Sequence, residues 1–320
     1  MKRIGVLTSG GDSPGMNAAI RAVVRTGLFY GLEVYGIGHG YAGLIGGEIR
    51  EMDRSSVSDI MQRGGTMLYT ARCEEFQTEK GQQQAVMMLE NFKIEGLVVI
   101  GGDGSMKGAR ALAQKGVCTI GLPGTIDNDL AYTDYTIGFD TAVNTALSAI
   151  SNLRDTSSSH GRVTIIEVMG RHCGDIALYA GIGGGAEIVI VPEDPFDPLD
   201  VCRQIVEGRN KGKRHCIILL AEGAPVTSQE LSEFIRKHTA MDSRVTVLGH
   251  VQRGGSPTSF DRMIASRMGA YGVKILMEGK SSRAVGIRGN EIVDYDIFEA
   301  LSMKRKANEE LIELSRILSI

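Results

Sequence analysis

The chain has 320 residues, enough for one large core or for two lobes with a cleft between them. Its formal net charge of −3 creates no global basic field, so we expect no nucleic-acid partner and no anionic membrane partner. Apolar runs such as Leu97–Ile100 are far shorter than the roughly 20 residues that span a bilayer, which argues against a membrane protein.

Cysteine usage and the first residues favour a cytoplasmic location. The five cysteines are scattered without a CxxC pair, which is typical of reduced thiols and argues against a zinc site. The basic Met1-Lys2-Arg3 precedes only a short apolar stretch, which we interpret as a first strand and not as a signal peptide.

Short apolar runs alternate with amphipathic helical patterns along the chain. In chain order the pattern predicts a strand at Arg3–Thr8, a helix at Met16–Tyr30, a strand at Leu97–Ile100, a helix at Met106–Lys115, a strand at Thr119–Leu122, a helix at Thr141–Asp155, strands at Val163–Glu167, Glu187–Val191, Cys216–Ala221 and Val245–Leu248, and a last helix at Lys304–Leu318. Helical segments fall between most of the later strands. This alternation indicates βαβ units, a largely parallel sheet and an α/β fold.

Glycine is unusually frequent. There are 42 glycines, nearly twice the roughly 7% of average usage, and most of them end short apolar runs. Ligands of parallel α/β sheets bind beyond the carboxyl ends of the strands. Because glycine lacks a Cβ atom, glycines at these ends suggest that the backbone approaches a ligand closely.

The first two glycine-rich loops follow predicted strands. Thr8–Gly15 can turn backbone N–H groups toward an anion at a helix N-terminus, although an ordinary tight turn explains it almost as well. In Gly101–Ser105, the glycine-flanked Asp103 suits Mg²⁺ beside nucleotide phosphates. The competing interpretation is that Asp103 is the N-cap of the next helix, a role that Ser105 also fits.

The third loop is Pro123–Asp129. If it is extended, Asp127 and Asp129 point the same way, and one of them can accept the proton of an attacking hydroxyl. A solvated acidic turn is the alternative.

The fourth loop is Met169–Gly174, whose Arg171 is suited to bidentate binding of a phosphate. No P-loop pattern is present. A GxGxxG pattern begins at Gly38, but no helix is expected after it, so we do not interpret it as a dinucleotide site.

Taken together, these loops resemble those of the bacterial ATP-dependent 6-phosphofructokinases, over the whole of Met1–Ile320. The shared segments, in the family's order and approximate spacing, are Thr8–Asn17, Gly101–Ser105, Pro123–Asp129, Met169–Gly174, Ala221–Gly223 and Gly249–Gly255. The resemblance implies two Rossmann-like α/β/α lobes with mainly parallel sheets and an active site in the cleft between them. It implies a larger ATP-binding domain (residues 1–138 plus about 252–302) and a smaller fructose 6-phosphate-binding domain (residues 139–251 plus about 303–320). It also implies a homotetramer of glycolytic function.

The reaction that the resemblance implies is transfer of the γ-phosphoryl group of MgATP to the 1-hydroxyl of fructose 6-phosphate. Asp127 would be the base and Asp103 would position Mg²⁺. The implied catalytic set is Gly11, Arg72, Thr125, Asp127 and Arg171. The implied ATP site is Gly11, Tyr41, Arg72, Cys73, Gly102, Asp103, Gly104, Ser105 and Gly108. Positioning and charge neutralisation dominate catalysis of phosphoryl transfer, which agrees with these assignments.

The implied fructose 6-phosphate site combines loop residues with distant cations. Its members are Thr125, Asp127, Asp129, Arg162, Met169, Gly170, Arg171, Glu222, Arg244, His250 and Arg253. Arg162 and Arg244 would come from a neighbouring subunit. Guanidinium groups match phosphate oxygens well, although each arginine alone is explained equally by a surface ion pair.

A second, regulatory site is implied between subunits. Its residues are Arg21, Arg25, Arg54, Ser55, Asp59, Arg154, Glu187, Lys211, Lys213, Arg214 and His215. There ADP or GDP would activate the enzyme and phosphoenolpyruvate would inhibit it. Taken singly, the basic residues are most simply solvated helix-face charges.

Two glycines favour ATP as the phosphoryl donor. Relatives that use pyrophosphate carry aspartate where Gly104 stands and lysine where Gly124 stands. The alternatives are a pyrophosphate-dependent enzyme, another kinase with a Gly-Gly-Asp-Gly loop, such as an NAD or diacylglycerol kinase, and a non-catalytic nucleotide sensor. Met106 replaces an aromatic residue common in relatives, and we expect it to alter packing near the adenine.

Overall fold

The computed structural model describes residues 1–319, which form two compact units. Unit 1 comprises Met1–Ile126, Leu130–Thr141 and Arg253–Arg305, and unit 2 comprises Asp127–Asp129, Ala142–Gln252 and the residues from Lys306 onward. The expected domain boundaries placed residues 127–129 in the larger domain. The structure groups them with unit 2, and their side chains also bond to that unit, as described below.

Unit 1 is built on a seven-stranded sheet. Its strands are β1 (Arg3–Ser9), β2 (Glu33–Ile37), β3 (Ile49–Met52), β4 (Gly96–Gly101), β5 (Cys118–Pro123), β10 (Arg283–Arg288) and β11 (Glu291–Asp296). Its helices are α1 (Met16–Phe29), α2 (Gly40–Gly46), α3 (Glu79–Asn91), α4 (Asp103–Gln114), α9 (Ser259–Met277) and α10 (Ile297–Ser302). The strand order is β11-β10-β5-β4-β1-β2-β3, and only β3 and β11, at the two edges, pair antiparallel.

Each central strand of unit 1 is buried on both faces. Along β4, Val98 and Ile100 join an apolar cluster with α1 and α9. Leu97 and Val99 join a second cluster with α2, α3, α4 and α10. Because side chains alternate across a strand, this pattern places helices on both faces of the sheet.

Unit 2 has a four-stranded, wholly parallel sheet in the order β7-β8-β6-β9. The strands are β6 (Val163–Val168), β7 (Ile188–Ile190), β8 (Cys216–Ala221) and β9 (Ser243–Val247). The helices are α6 (Asp175–Gly184), α7 (Pro198–Asn210), α8 (Ser228–Thr239) and α11 (Glu309–Leu318), while α5 (Phe139–His160) runs into this unit from unit 1. Helices α7 and α8 share an apolar core with β6, β7 and β8. The predicted α/β class with mainly parallel sheets is confirmed.

Several element boundaries differ from the prediction. Helix α4 begins at Asp103, three residues early, because the carbonyl of Gly102 accepts the N–H groups of Ser105 and Met106. Helix α11 begins only at Glu309, where the Asn308 side chain accepts the Leu311 N–H.

The prediction that no helix follows the GxGxxG pattern is also wrong, because α2 begins inside the pattern, at Gly40, and continues past it to Gly46. Its glycines have a packing explanation. A Cβ atom on Gly43 would lie 1.8 Å from the Gly38 carbonyl oxygen, so the backbone at these two glycines is in direct contact and leaves no room for a side chain on Gly43.

Met106, for which an effect on packing near the adenine was expected, packs against strand β5. Its side chain is fully buried, and its sulfur fills the space beside Gly121 on β5. Met106 is therefore a core residue. Among residues 1–319, no helix is both long enough and apolar enough to cross a membrane.

Candidate active site

Three of the predicted loops begin side by side in unit 1. Strands β5, β4 and β1 are parallel neighbours, and Pro123 pairs with Gly101, which pairs with Ser9. The Gly124 N–H also donates to the Gly101 carbonyl at 2.9 Å. The loops after these strands therefore leave one edge of the sheet together, as expected for a ligand site in a parallel α/β fold.

Two of these loops open onto helix N-termini without side-chain caps. Gly15 is the N-cap of α1 and Gly102 is the N-cap of α4, and neither end has a side-chain capping bond. No side chain of the described residues therefore occupies the first N–H groups of either helix, although the Met16 N–H of α1 donates to the Ser13 carbonyl at 3.2 Å. Gly11 is exposed, and a Cβ atom there would lie 2.5 Å from the end of the Arg253 side chain, whose guanidinium also donates to the Asp12 carbonyl.

Asp103 is the first residue of α4, directly after β4. Its carboxylate pairs with Lys107 at 2.6 Å and is 37% exposed. Neither Asp103 nor Ser105 is the N-cap, so the capping alternative is wrong for both. The Ser105 hydroxyl is buried and has no hydrogen-bond partner within residues 1–319. A partly exposed carboxylate, paired with Lys107, and a buried hydroxyl without a partner in the described part of the chain thus lie on one helix turn, where a polar ligand can bind to both.

Tyr41 and Gly108 support the α4 loop from the core. The Tyr41 hydroxyl donates to the Ser105 carbonyl at 2.6 Å, its ring stacks on Phe76, and burial raises its pKa well above the usual range. A Cβ atom at Gly108 would lie 2.5 Å from the Tyr41 ring, so this glycine makes room for the ring. Of the other predicted ATP residues, Arg72 is exposed and Cys73 is half-buried.

The carboxylates of Asp127 and Asp129 lie beside one arginine in unit 2. The Arg171 guanidinium is 3.9 Å from Asp127 Oδ2 and 3.8 Å from Asp129 Oδ2. Asp127 is 3% exposed, so the interpretation as a solvated acidic turn is wrong for it. The loop is not extended at its centre, because Asn128 has a left-handed φ of 52°. The two carboxylates nevertheless share one cation.

The loop that carries Arg171 has a constrained backbone. Gly170 and Arg171 have φ angles of 143° and 55°, and Glu222 Oε1 accepts both of their N–H groups, at 3.2 and 2.7 Å. A Cβ atom on Gly223 would lie 2.0 Å from the Arg171 carbonyl. Glu222 therefore stabilises a conformation that a non-glycine residue rarely adopts.

Several polar residues that sequence reasoning missed also brace this region. Gln252 is fully buried, accepts the Met169 N–H and donates to the Gly249 carbonyl. Glu193 accepts the Gly174 N–H at 2.9 Å. Asn128 and Asp175 are both buried and bonded to each other. A polar residue in the sequence gives no sign of burial, so no sequence signal marks these residues.

The predicted phosphate-binding cations are dispersed. Arg162 precedes β6 and Arg244 is the second residue of β9, which is parallel to β6. Met169 and Glu222 instead follow the carboxyl ends of β6 and β8, and five residue steps along β6 span about 17 Å. His250 is exposed in a 3₁₀ turn over Gly249–Arg253, and Arg253 belongs to unit 1. One copy of unit 2 therefore does not bring Arg162 and Arg244 to Asp127.

The predicted effector residues fall into two groups. Arg21, Arg25, Arg54, Ser55 and Asp59 belong to unit 1. Burial, and then the nearby Arg25 charge, lower the pKa of Arg21.

The remaining effector residues belong to unit 2. A pocket of about 370 Å³ is lined there by Glu187, Lys211, Lys213 and His215, among others. Arg154 lies 3.8 Å from Glu187 and donates to the Gly184 and Gly185 carbonyls. Arg214 is exposed and does not line this pocket.

Comparisons with known proteins agree with this arrangement. The pattern of the family described as phosphofructokinase matches residues 3–276. A Clostridium novyi protein named ATP-dependent 6-phosphofructokinase is 63% identical over 319 residues, and one from Alkaliphilus metalliredigens with the same name is 60% identical over 320 residues. Each alignment covers all of both chains.

Solved structures give the same result for the fold. The structure of phosphofructokinase from Saccharomyces cerevisiae aligns with a TM-score of 0.90 at 35% identity, covering all of this chain and 48% of the yeast chain. This chain thus spans about half the length of the yeast chain. A pyrophosphate-dependent phosphofructokinase from Marinobacter aquaeolei, at 21% identity and a TM-score of 0.86, shares the fold over 97% of this chain and 86% of its own. From the family pattern and the full-length relatives, the chain belongs to the phosphofructokinase family.

Proposed function

We propose that the chain is an ATP-dependent 6-phosphofructokinase, which converts fructose 6-phosphate and ATP into fructose 1,6-bisphosphate and ADP. The observation that carries the proposal is the buried Asp127 carboxylate, which shares the Arg171 guanidinium with Asp129. When a hydroxyl attacks a phosphoryl group, a base accepts the hydroxyl proton and a nearby cation neutralises the charge of the phosphoryl oxygens, and this arrangement supplies both. The names of the full-length relatives support the same reaction.

The proposed step moves one proton and one phosphoryl group. Asp127 accepts the proton of the sugar 1-hydroxyl while the oxygen bonds to the γ-phosphorus, and the bond from that phosphorus to the bridging oxygen of ADP breaks. Arg171 and Arg72 would neutralise charge on the transferring group, and Thr125 would donate a hydrogen bond. The uncapped N–H groups of α1 and α4 would bind the other phosphate oxygens.

Asp103 fits a magnesium ion held largely by non-protein ligands. Magnesium in phosphoryl-transfer sites usually has one or two carboxylates together with water and phosphate oxygens. Asp103 offers a partly exposed carboxylate after β4, and within residues 1–319 no three His, Cys, Asp or Glu side chains converge as a metal site. When bound, the ion would offset the negative charge of the nucleotide phosphates.

The glycines at 104 and 124 support ATP over pyrophosphate as the donor. Gly104 is exposed and nothing lies within 4 Å of a Cβ atom built on it, which leaves room for the nucleotide. The loop around Asp127 and Asp129 distinguishes the proposal from the other Gly-Gly-Asp-Gly kinases, since it supplies a base for a sugar hydroxyl.

A coupled assay with fructose 6-phosphate tests the proposal, with MgATP and magnesium pyrophosphate as alternative donors. We expect turnover with ATP and a loss of about 10² to 10⁴-fold in kcat for Asp127→Ser. Asp200→Ser is the matched control, because Asp200 is an exposed residue of α7 that pairs only locally with Arg203. A preference for pyrophosphate, or full activity of Asp127→Ser, would contradict the proposal.

We propose that the enzyme is a cytoplasmic homotetramer that ADP or GDP activates and phosphoenolpyruvate inhibits. The unit 2 pocket supports this idea, because its lysines suit phosphate groups and Glu187 lies among them. Glu187 would disfavour a carboxylate inhibitor and tolerate a metal-bound diphosphate, and regulation further requires that each ligand bind two states of the protein with different affinity. Sigmoidal fructose 6-phosphate kinetics, relieved by ADP, would support regulation, and hyperbolic kinetics insensitive to both ligands would exclude it.

A further inference from the structure

A buried polar bond joins the two loops that carry the proposed base and its arginine. Asn128 Nδ2 donates to Asp175 Oδ2 at 2.8 Å, and the two residues are 1% and 4% exposed. The Cys173 thiol also lies 3.8 Å from the Asn128 carbonyl, as a weak donor. The Asp127–Asp129 loop is thereby fastened to the start of α6, only four residues after Arg171.

The position of Asn128 makes this bond relevant to both neighbouring carboxylates. Asn128 lies between Asp127 and Asp129 and has a left-handed φ of 52°, a conformation that asparagine adopts more readily than most residues other than glycine. Its amide is engaged by Asp175, while both adjacent carboxylates lie within 4 Å of Arg171. A rotation of Asn128 would move both carboxylates at once.

Asp175 also has a simpler possible role, as a negative charge at a helix N-terminus. It is the first residue of α6, where a carboxylate stabilises the helix N-terminus by typically 0.3–1 kcal/mol. Helix α7 offers a comparison, since Asp200 lies in its first turn but is exposed. A helix-end charge does not require burial. The buried acceptor at Asp175 is explained better by the partner that it holds.

We propose that Asp175 is a positioning residue of the phosphoryl-transfer site. Through the Asn128 amide it holds the Asp127 and Asp129 carboxylates in place beside Arg171. This inference rests on the proposed function, because it assumes that Asp127 is the base. A displacement of about 1 Å at a reacting group costs up to 10²-fold in rate, so loss of the bond is expected to lower kcat.

The test compares variants that keep or remove the acceptor oxygen. Asp175→Ala removes it, and we expect kcat to fall about 10- to 100-fold. The KM for ATP should change less than about twofold, since the nucleotide loops belong to unit 1. Asp175→Asn retains an oxygen that accepts from Asn128 and should keep most of the rate. Asp200→Ala controls for loss of an acidic residue at a helix start and should match the wild type.

Two further variants separate positioning from a general loss of structure. Asn128→Gly removes the same bond from the other side and suits the positive φ, so it should lower kcat like Asp175→Ala even if the latter folds poorly. In an Asp127→Ser background, Asp175→Ala should lower the residual rate less than about twofold, because the base that it positions is already missing.

Three results would overturn the inference: a wild-type kcat for Asp175→Ala, an Asp175→Asn protein as impaired as Asp175→Ala, or a full additional loss in the Asp127→Ser background. Inactivity of the wild-type chain with ATP and fructose 6-phosphate would instead contradict the proposed function and the positioning role together. Activity of the wild type with an unimpaired Asp175→Ala protein would contradict the positioning role alone.

Discussion

Gly104 and Gly124 follow neighbouring strands, yet a side chain would have different surroundings at each. A Cβ atom on Gly104 meets nothing within 4 Å, whereas one on Gly124 would lie 3.0 Å from Ile100 and 3.1 Å from Met16. A side chain at Gly124 would therefore require these neighbours to move by a few tenths of an ångström, whatever the donor. Gly104 has no such requirement within the chain, so its substitution reports on the ligand.

We expect Gly104→Asp to fold normally and to lose ATP activity. An aspartate in the first turn of α4 is favourable for the helix, so the melting temperature should change little. Beside a nucleotide phosphate the added carboxylate repels a like charge, which costs several kcal/mol and corresponds to a loss of at least about 100-fold in kcat/KM for ATP. Steady-state assays with ATP and with pyrophosphate measure the change.

Gly104→Ala is the matched control for this substitution, because it adds a Cβ atom without charge. It should remain within about threefold of the wild type. Full ATP activity of Gly104→Asp would show that position 104 does not face the donor.

Among the helices, the N-termini of α5 and α9 are bonded to each other within unit 1. Asp261 on α9 is fully buried and accepts the N–H groups of Gly138 and Thr141, both at 2.8 Å, and the Thr141 hydroxyl. In return, Thr258, the N-cap of α9, donates to Asp140 in the first turn of α5 at 2.5 Å. The start of each helix is thus held by side chains of the other.

The buried Asp261 makes stability depend on pH. Burial raises the pKa of Asp261 from 3.8 to about 6, the nearby Asp140 charge adds to the rise, and the bonds from Thr141 and Gly138 oppose it. The folded protein therefore binds this proton more tightly than the unfolded chain. This contribution to stability is fully present below pH 3.8 and is lost as the pH rises through about 6.

We predict that an Asp261→Asn variant loses this pH dependence. Measured by denaturant unfolding, the stability of the wild type relative to the variant should fall by up to about 3 kcal/mol between pH 4 and pH 7. The asparagine protein is expected to be less stable throughout, since its amide N–H group faces backbone N–H donors. A wild-type-minus-variant difference that stays constant over this range would show that Asp261 does not titrate there.

At the scale of the whole molecule, Arg162 and Arg244 lie at the wrong end of the unit 2 sheet to serve Asp127 of the same copy. They lie at the amino ends of β6 and β9, whereas the Met169 loop leaves the carboxyl end of β6. If they bind the sugar phosphate, a second copy must supply them, and symmetric homo-oligomers allow this exchange.

This geometry predicts complementation between inactive variants. Arg162→Ala and Asp127→Ser should each have little activity, and co-refolding equal amounts should restore about one quarter of the wild-type activity. The reason is that a site with both wild-type residues forms in about one of four random pairings. A mixture of Arg162→Ala with Arg244→Ala should recover nothing, because one neighbour supplies both arginines. If the first mixture shows only the summed activity of its parts, the site is not shared.

The sequence by itself determined the fold class and the order of the loops. Parallel strands that are buried on both faces have continuous apolar sequences. For one of them, Cys216–Ala221, the predicted first and last residues agree with the structure. Glycines at strand ends also marked the segments that the structure brings to one edge of the unit 1 sheet. These signals are local, since they depend on periodicity and on the backbone freedom of glycine. The first residue of a helix, such as Asp103 of α4, was harder to predict, because hydrogen bonds to a single carbonyl group decide where the helix begins.

Only the tertiary structure decided which polar side chains meet. Asp127 and Arg171 are 44 positions apart in the sequence, and their pairing depends on how the unit 2 sheet places two loops. The left-handed Asn128 and its bond to Asp175 had no local signal, nor did the placement of Arg162 and Arg244 at the opposite end of their strands. Burial and pairing are properties of contacts between distant residues, so a linear pattern of polar residues does not reveal them.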